Sequence, residues 1–352
     1  MPETRAILSD PFLLNFIREN GYAIRVKRLI GDWSARSYVR VFAENGKDTA
    51  MLMICRDDRT KAQMKEYVRI ANALRQCGFS APDILAEERE AGLMLVEDLG
   101  EFAMDSLVDK KHWLPDYYAE MGEIVRKLRE DIPADFYETL PAYEDTAIGK
   151  GHVRIMDWYV PLVMGMPLEG SLKVEYNAIW KRLIKDAPAQ GQCFTHMDFH
   201  PANLVYRLSE KDVKRKIGIL DFQNACVGSV AYDTVNLLRD IRRKVPSALQ
   251  KSVLASVQMG LDFEERESFM HWYKLLSVQY HSRVLGQVYK LAIETQRDDL
   301  LIHVPRIKKY LVKELDDPLF AELSSFFSSL GSLFSEETEV EIDASVILAD
   351  AF

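Results

Sequence analysis

Cysteine is scarce in this sequence, and its spacing excludes two common uses of that residue. The 352-residue chain has four cysteines, Cys55, Cys77, Cys193 and Cys226, and no Cys-x-x-Cys pair. A disulfide framework needs more cysteines in a much shorter chain, and a structural zinc site needs closely paired ones. We therefore expect four reduced thiols, as is usual for a cytoplasmic protein.

Long hydrophobic runs and an excess of positive charge are also missing. No stretch approaches the roughly 18 apolar residues of a transmembrane helix, and Met1–Asp10 lacks the basic start and apolar core of a signal peptide. The formal net charge is −9, and residues 331–352 hold six acidic residues but no Lys or Arg. Binding of nucleic acid through phosphate neutralisation is not supported. The composition predicts a soluble cytoplasmic protein with no nucleic-acid or membrane partner.

Strand patterns are concentrated near the N-terminus. Alternating or apolar runs bounded by turn residues predict strands at Ala23–Ile30, Tyr38–Ala43, Ala50–Ile54, Ile84–Glu87 and Leu93–Val96. Asp10-Pro11 and Asn20-Gly21 are typical of the two ends of a helix, on which we expect inward-facing Phe12, Phe16 and Ile17. A second helix is predicted over Lys61–Cys77 by its apolar spacing.

Most of the remaining chain has helical periodicity, beginning with Leu114–Arg129. The one predicted exception is a short β pair, Leu204–Tyr206 with Ile217–Leu220, joined by the polar loop Arg207–Lys216. We predict an α+β protein with a small β-rich N-terminal lobe (residues 1–97), a large, mostly helical C-terminal lobe (98–331) and an acidic tail (332–352).

The segment with the most chemical information contains His196-x-Asp198 and, five residues after Asp198, Asn203. Asp221 follows 18 positions after Asn203. Phosphoryl transfer from a nucleotide needs a carboxylate to orient and deprotonate the acceptor hydroxyl, and oxygen ligands for Mg²⁺. Asp198 on a loop is predicted to be the base, and Asn203 and Asp221, brought together by the paired strands, are predicted to be the metal ligands. We expect His196 to brace the loop, and His200 to do the same or to touch substrate.

This motif resembles the aminoglycoside phosphotransferase and choline kinase superfamily, whose members have a protein-kinase-like, two-lobed fold. The resemblance extends from about Gly31 to about Leu311. Further stretches are similar to the sugar 1-kinases of bacterial cell-wall recycling, which phosphorylate the anomeric hydroxyl of N-acetylmuramate and N-acetylglucosamine; they are Ser34–Arg40, Val96–Gly100, Met156–Tyr159, Leu220–Gln223, Tyr232–Asp240 and Arg283–Gly286.

The resemblance implies ATP as phosphoryl donor, Mg²⁺ as cofactor and roles for further residues. Glu97 and Leu99 fall on the connector whose backbone would hydrogen-bond adenine. The loop Gly31–Ser37, with Ser34, would cover the nucleotide phosphates. Asp233 matches the position that supports the catalytic loop from the following helix.

One departure from the superfamily concerns the phosphate-binding lysine of the third strand. Met53 stands about where that lysine belongs. Because a cation–phosphate contact is a strong, charge-assisted bond, we expect Arg36 and Arg40 to replace it, unless both are exposed strand charges. Glu66 would pair with either arginine or be exposed, and Lys27 and Lys47 are the next candidates.

A small-molecule acceptor is predicted because features of protein kinases are missing. The sequence has no Gly-x-Gly-x-x-Gly loop, and only about ten residues separate Asp221 from Tyr232. Sugar rings stack on aromatic faces, so one or two of Trp158, Tyr159, Trp272 and Tyr280 are expected at the acceptor unless they are core residues. Arg283 would bind an anionic group, such as a lactyl carboxylate, or be a surface charge.

Three functions remain open at this point. The predicted function is phosphorylation of the anomeric hydroxyl of N-acetylmuramate or N-acetylglucosamine. The alternatives are an aminoglycoside or amino-alcohol kinase, which needs several carboxylates for a polycation, and an inactive nucleotide-binding scaffold, which the missing lysine favours and intact Asp198, Asn203 and Asp221 disfavour.

Overall fold

The structure is a computed structural model that describes residues 9–24, 36–108, 114–335, 338 and 340–348. Ser34, Lys27 and most of the predicted strand Ala23–Ile30 lie outside these ranges. Contacts divide the chain into two compact units, one formed by residues 1–127 with 200–224 and the other by 128–199 with 225–352. The predicted division into 1–97, 98–331 and 332–352 stays a prediction.

An antiparallel five-stranded sheet organises the first unit. Its strands are β1 (Tyr22–Ala23), β2 (Arg36–Ala43), β3 (Thr49–Cys55), β4 (Ile84–Glu88) and β5 (Leu93–Glu97), in the order β1-β2-β3-β5-β4. Alternate residues such as Val39, Val41 and Leu52 are buried against Leu13 and Ile17 of helix Pro11–Glu19. Phe12, which was expected to face inward, is instead 57% exposed, and Leu13 occupies the inward position.

Two helices of the first unit begin at an aspartate cap. The Asp10 carboxylate accepts hydrogen bonds from two backbone N–H groups, and the Asp57 carboxylate accepts one from the backbone N–H of Thr60 at the start of the next long helix. That helix extends over Asp58–Gln76, and its Tyr67 ring packs 4.7 Å from the ring of Phe222. The remaining helices are Met104–Val108, Val213–Lys216 and Leu114–Asp131, which continues into the second unit.

A two-stranded sheet in the first unit carries the predicted β pair. Strand β7 (Leu204–Tyr206) pairs antiparallel with β8 (Ile217–Ile219), so this prediction is confirmed to within one residue. Bridges from Ser80 to Gly218 and from Ala103 to Val205 join the pair to the rest of the unit. The predicted polar loop between the strands ends in the short helix Val213–Lys216.

The second unit is mostly helical and is built on the 33-residue helix Phe263–Thr295. Gly286 on this long helix lies against the chain at Arg154, where a Cβ atom would come within 2.1 Å of the carbonyl oxygen. The close approach accommodates a π-helical turn, Ile155–Tyr159. The other helices with α-helical geometry are Ala134–Tyr137, Val160–Met164, Gly170–Lys185, Val230–Leu238, Ser247–Val257, Val304–Leu315, Ala321–Ser329 and Ala344–Leu348.

A second pair of strands, in the second unit, contradicts the prediction of a single β pair after residue 100. Strands β6 (Cys193–Thr195) and β9 (Cys226–Gly228) form a second antiparallel pair. Three-residue strands are too short to show a period in sequence, which explains the omission. The α+β class is confirmed. No helix in the described ranges is both long and apolar enough to cross a membrane.

Candidate active site

In the second unit, the loop that follows β6 is held by one buried carboxylate. Asp233 accepts hydrogen bonds from the backbone N–H groups of His196 (2.7 Å) and Met197 (3.0 Å). Met197 has a φ of +78°, an unusual conformation for a residue with a side chain, and these two bonds stabilise it. The backbone N–H of Asp198 donates to Nδ1 of fully buried His196 over 3.2 Å. The backbone that presents Asp198 is therefore fixed on its N-terminal side.

Burial sets the protonation behaviour of Asp233. Loss of solvent raises the pKa of its carboxyl to about 7, although the two backbone hydrogen bonds oppose that shift; the charge of Asp198 adds to it. From the same helix, Asn236 donates to the carbonyl oxygen of Met197 over 3.4 Å. Helix Val230–Leu238 thus contacts both polar sides of the Met197 backbone.

Arg283 lies midway along the long helix. Its guanidinium Nη2 donates to the Tyr232 hydroxyl over 3.2 Å, and the guanidinium carbon Cζ lies 5.4 Å from the centre of the Tyr280 ring. Its aliphatic stem rests on Gly151, where a Cβ atom would come within 2.6 Å of Cδ. Gly151 and Gly286 each lack a side chain at a close contact with the long helix. The Arg283–Gly286 stretch therefore has a packing role.

The aromatic residues considered for sugar binding differ in environment. Tyr159 is fully buried, its hydroxyl donates to the carbonyl oxygen of Leu333, and its ring packs against Tyr289. Tyr280 is 5% exposed, and the Trp272 indole donates to the Pro188 carbonyl. Trp158 is half-buried with the Lys290 ammonium 4.8 Å from its ring centre. Tyr159 and Tyr280 are therefore core residues in this structure.

In the first unit, Asn203 and Asp221 lie on adjoining segments of the β7/β8 pair. The backbone N–H of Leu220 donates to the carbonyl oxygen of Asn203 over 2.9 Å. Asp221 follows with a φ of +59°, and the Gln223 side-chain amide donates to its Oδ1 over 2.7 Å. The Asn203 amide nitrogen is 3.4 Å from Nε2 of buried His200. The backbone segments that carry these two oxygen-bearing side chains therefore adjoin.

Arg36, at the start of β2, contacts this pair of segments. Its guanidinium forms an ion pair with Asp221 (3.4 Å) and a hydrogen bond with the Gln63 side-chain oxygen, and the arginine is only 5% exposed. Gln63 also donates to the Asn224 side chain over 2.9 Å. Sequence reasoning missed Gln63 and Asn224. Gln63 lies about one helical turn before Glu66, on the same face of the helix. The side chain that contacts Arg36 is therefore a neutral glutamine three positions before the expected glutamate.

The other candidates for the phosphate cation have different environments. Arg40 forms ion pairs with Asp98 (2.5 Å) and Glu101 (2.9 Å) and donates to the Gly100 carbonyl. Glu66, expected to pair with Arg36 or Arg40 or to be exposed, pairs with Arg69, and its side chain is 41% exposed. Met53 is 1% exposed and its sulfur accepts from the Tyr38 hydroxyl over 3.5 Å, while Lys47 is exposed in a turn. Arg36 is the candidate cation that the structure places against Asp221.

The two connector residues also differ. The backbone N–H of Glu97 donates to the Asp83 carbonyl oxygen. The Glu97 carboxylate forms ion pairs with Arg75 and Arg207. Leu99 is 6% exposed and its side chain packs on Gly218, but no backbone hydrogen bond involves it among the described residues. The Leu99 backbone therefore retains a donor and an acceptor.

A metal site made entirely of protein side chains is not found in the part of the chain that the structure describes. No group of three or more His, Cys, Asp or Glu side chains there is arranged to hold a metal ion. Asn203 and Asp221 instead provide an amide and a carboxylate. This donor set suits Mg²⁺, which typically takes one or two protein ligands and completes its coordination with phosphate oxygens and water.

Comparisons with known proteins find kinases among the relatives of this chain. The N-acetylmuramate/N-acetylglucosamine kinase of Pseudomonas aeruginosa is 29% identical over 326 residues, covering 90% of this chain and 92% of that protein. The Caulobacter vibrioides protein of the same name is 27% identical over 344 residues, covering 89% and 94%.

Solved structures share the fold at low sequence identity. A choline kinase from Cryptosporidium parvum has a TM-score of 0.58 at 13% identity, covering 90% of this chain and 99% of that one. An ADP-bound aminoglycoside phosphotransferase has a TM-score of 0.59 at 13% identity, covering 88% and 99%. The protein-kinase-like fold and the expected superfamily are confirmed. Because residues 25–269 match the family described as "Phosphotransferase enzyme family", the chain belongs to that family and is a small-molecule kinase with a hydroxyl acceptor.

Proposed function

We propose that this enzyme transfers the γ-phosphoryl group of ATP to the anomeric hydroxyl of N-acetylmuramate or N-acetylglucosamine. The observation that carries the proposal is the rigidly held Asp198 loop, with Asp233 bonded to the backbone at His196 and Met197, in a chain whose relatives over about nine-tenths of its length have that kinase name. We place the reaction in the cytoplasm, where ATP is available.

Asp198 acts as the general base. Its carboxylate orients the acceptor hydroxyl and accepts its proton as the hydroxyl oxygen bonds to the γ-phosphorus. The bond from that phosphorus to the β–γ bridging oxygen breaks, and ADP leaves. The hydrogen bond from the Asp198 N–H to His196 supports this role, because a base acts efficiently only when its position is fixed.

Asn203 and Asp221 are the residues that would hold Mg²⁺. When bound, the ion would neutralise charge that develops on the transferred group. The Leu220–Asn203 backbone bond supports this assignment by holding the two segments together, and Gln223 orients the Asp221 carboxylate. His200, next to the Asn203 amide, then helps to orient Asn203 rather than contacting the acceptor.

Arg36 supplies the phosphate cation that the third strand lacks. Its position is set by Gln63, which in turn is held by Asn224, and its ion pair with Asp221 is the support for a role near the phosphates. Arg40 secures the connector through Asp98 and Glu101, and Glu97 does so through Arg75 and Arg207. The Leu99 backbone is the group that we assign to adenine, and Ser34 stays a candidate for the phosphates.

For the acceptor, the support in the second unit favours Trp158 and Arg283 over Tyr159. Trp158 is partly exposed, which stacking of a sugar ring requires, whereas Tyr159 is fully buried.

The decisive experiment compares each reducing sugar with its methyl glycoside. N-acetylglucosamine and N-acetylmuramate should consume ATP and yield a sugar 1-phosphate, identified by phosphorus NMR. Their methyl glycosides keep every other hydroxyl and should be inert or competitive inhibitors. Phosphate on carbon 3, 4 or 6, or turnover of a methyl glycoside at the parent rate, would contradict the proposal, and phosphorylation of aminoglycosides or choline alone would favour the alternative kinases.

A further inference from the structure

The Arg283 guanidinium lacks an acidic partner within the described ranges. Its one hydrogen bond goes to the Tyr232 hydroxyl, and its Nε is buried without a partner. Burial raises the pKa of the Tyr232 phenol, so that hydroxyl stays neutral and gives the cation no compensating charge. The Tyr280 ring, 5.4 Å away, offers a π face but no hydrogen-bond acceptor for Nε.

Such a cation is costly unless something else compensates it. A charged group removed from water loses hydration, and proteins normally supply a counter-charge or a full set of hydrogen bonds. Arg242, also on the second unit, follows that rule, because its guanidinium pairs with the Asp240 carboxylate over 3.2 Å. Arg283 departs from it and has unused donors of the kind that bind a planar anion.

The position of Arg283 relates it to the proposed base. Tyr232, which receives its hydrogen bond, directly precedes Asp233, the residue that holds the backbone of the Asp198 loop. Both Arg283 and Tyr232 interact electrostatically with the charge of Asp198. The stem of Arg283 is confined by Gly151, so the guanidinium is pre-positioned.

We infer that Arg283 binds a carboxylate on the acceptor and thereby makes an acidic amino sugar the preferred substrate over a neutral one. The inference rests on the proposed function and deepens it: N-acetylmuramate carries a lactyl carboxylate that N-acetylglucosamine lacks. The planar guanidinium matches a carboxylate with two parallel hydrogen bonds. With a neutral acceptor, the same donors stay unpaired, which lowers the rate constant kcat/KM for that acceptor.

The test varies both the side chain at position 283 and the charge of the acceptor, and measures kcat/KM for each combination. Initial rates are measured for wild type, Arg283→Gln, Arg283→Lys and the control Arg266→Gln, an exposed arginine on the same long helix. The acceptors are N-acetylmuramate, its lactyl carboxamide and N-acetylglucosamine. Wild type should favour the acid over the carboxamide, and Arg283→Gln should lower kcat/KM for the acid by about 10- to 100-fold, the range for a hydrogen bond to a charged group.

The same substitution should change kcat/KM for the carboxamide and for N-acetylglucosamine by much less, so that the ratio of kcat/KM for the acid to kcat/KM for either neutral acceptor falls towards one. Arg283→Lys should fall between wild type and Arg283→Gln, and Arg266→Gln should match wild type for all three acceptors. An equal loss for all three acceptors in Arg283→Gln would overturn the inference and assign Arg283 a structural role.

Two further outcomes keep the proposals separate. If Arg283→Gln does not fold, the wild-type comparison of acid with carboxamide decides alone, and equal kcat/KM values overturn the inference. If none of the three acceptors is phosphorylated by wild type, the proposed function itself fails. Phosphorylation of all three with no preference for the acid leaves the proposed function standing and removes only the role of Arg283.

Discussion

Arg36 of the first unit is buried and Arg283 of the second is partly buried, and they differ in how their charge is compensated. Arg36 faces the Asp221 carboxylate and the Gln63 oxygen. Arg283 has one neutral acceptor, the Tyr232 hydroxyl. The difference teaches that a cation ion-paired within the protein has its charge compensated before any ligand arrives. A cation with no ion pair among the described residues is suited to recognise an anion on the ligand.

The largest effect is expected from removing the charge of Asp198, the proposed base, with which Arg283 interacts electrostatically. Asp198→Asn should lower kcat by roughly 10²–10⁴, the range for a positioned general base, without loss of fold or of ATP binding. Steady-state rates measure the loss, and a thermal-unfolding scan with and without ATP provides the control. More than a tenth of wild-type activity would remove Asp198 from that role.

Removing the carboxylate beside Arg36 should have the next largest effect. Asp221→Asn leaves Arg36 without its internal anion and takes a charged oxygen from the proposed magnesium site. The magnesium concentration for half-maximal rate should rise by at least about tenfold, and less in Asn203→Ala, which loses a neutral ligand. A magnesium titration after treatment with EDTA measures this. Activity that persists in EDTA would refute the metal assignment.

Replacing Arg36 itself allows a comparison with Arg40, which lies on the same strand, β2. Arg36→Ala should weaken ATP binding by about 10- to 100-fold, because a charge-assisted contact to phosphate is lost. Arg40→Ala is the matched control: Arg40 pairs with Asp98 and Glu101 and not with Asp221, so the effect on ATP affinity should stay below about fivefold. Gln63→Leu should fall between them. Calorimetric titration with ATP measures all three, and equal affinities for the Arg36 and Arg40 variants would mean that the cation lies elsewhere.

The smallest effect concerns stability in the second unit. Burial raises the pKa of Asp233 to about 7 from an ordinary value of 3.8, so between these values the native protein binds more protons than the unfolded chain. The free energy of unfolding should therefore fall as pH rises from about 4 to about 7, by at most about 1.4 kcal/mol per pH unit, and should level off above the folded-state pKa. Denaturant unfolding between about pH 5 and 8 measures the slope. Asp233→Asn should flatten it; an unchanged slope would assign the pH dependence to other groups.

Local spacing was sufficient for some features of the fold and of the candidate site. The Asp10-Pro11 cap, the strands β3 and β5 and the β7/β8 pair depend on short patterns of polarity, and the structure confirms them. Asn203 and Asp221 could be placed together because two short strands with a compact connection pair antiparallel.

Other features depend on contacts that no local pattern encodes. Gln63 meets Arg36 only through the register of the sheet and the rotation of helix Asp58–Gln76, and Gln63 lacks the charge that would have marked it. Strands β6 and β9 are 30 residues apart and three residues long, so neither is periodic. Phe12 and Leu13 are adjacent apolar residues, and packing on β2 and β3 decides which one is buried.

The discontinuity of the first unit has a consequence for synthesis of the chain. Its two segments, 1–127 and 200–224, are separated by residues that belong to the second unit, so the ribosome completes the sheet long before the partners of Arg36 and Tyr67 exist. Closing so long an intervening segment costs loop entropy that local contacts cannot offset in advance. A nascent chain arrested before residue 203 thus carries β1–β5 but neither proposed magnesium ligand, and we expect it to be unable to turn over ATP.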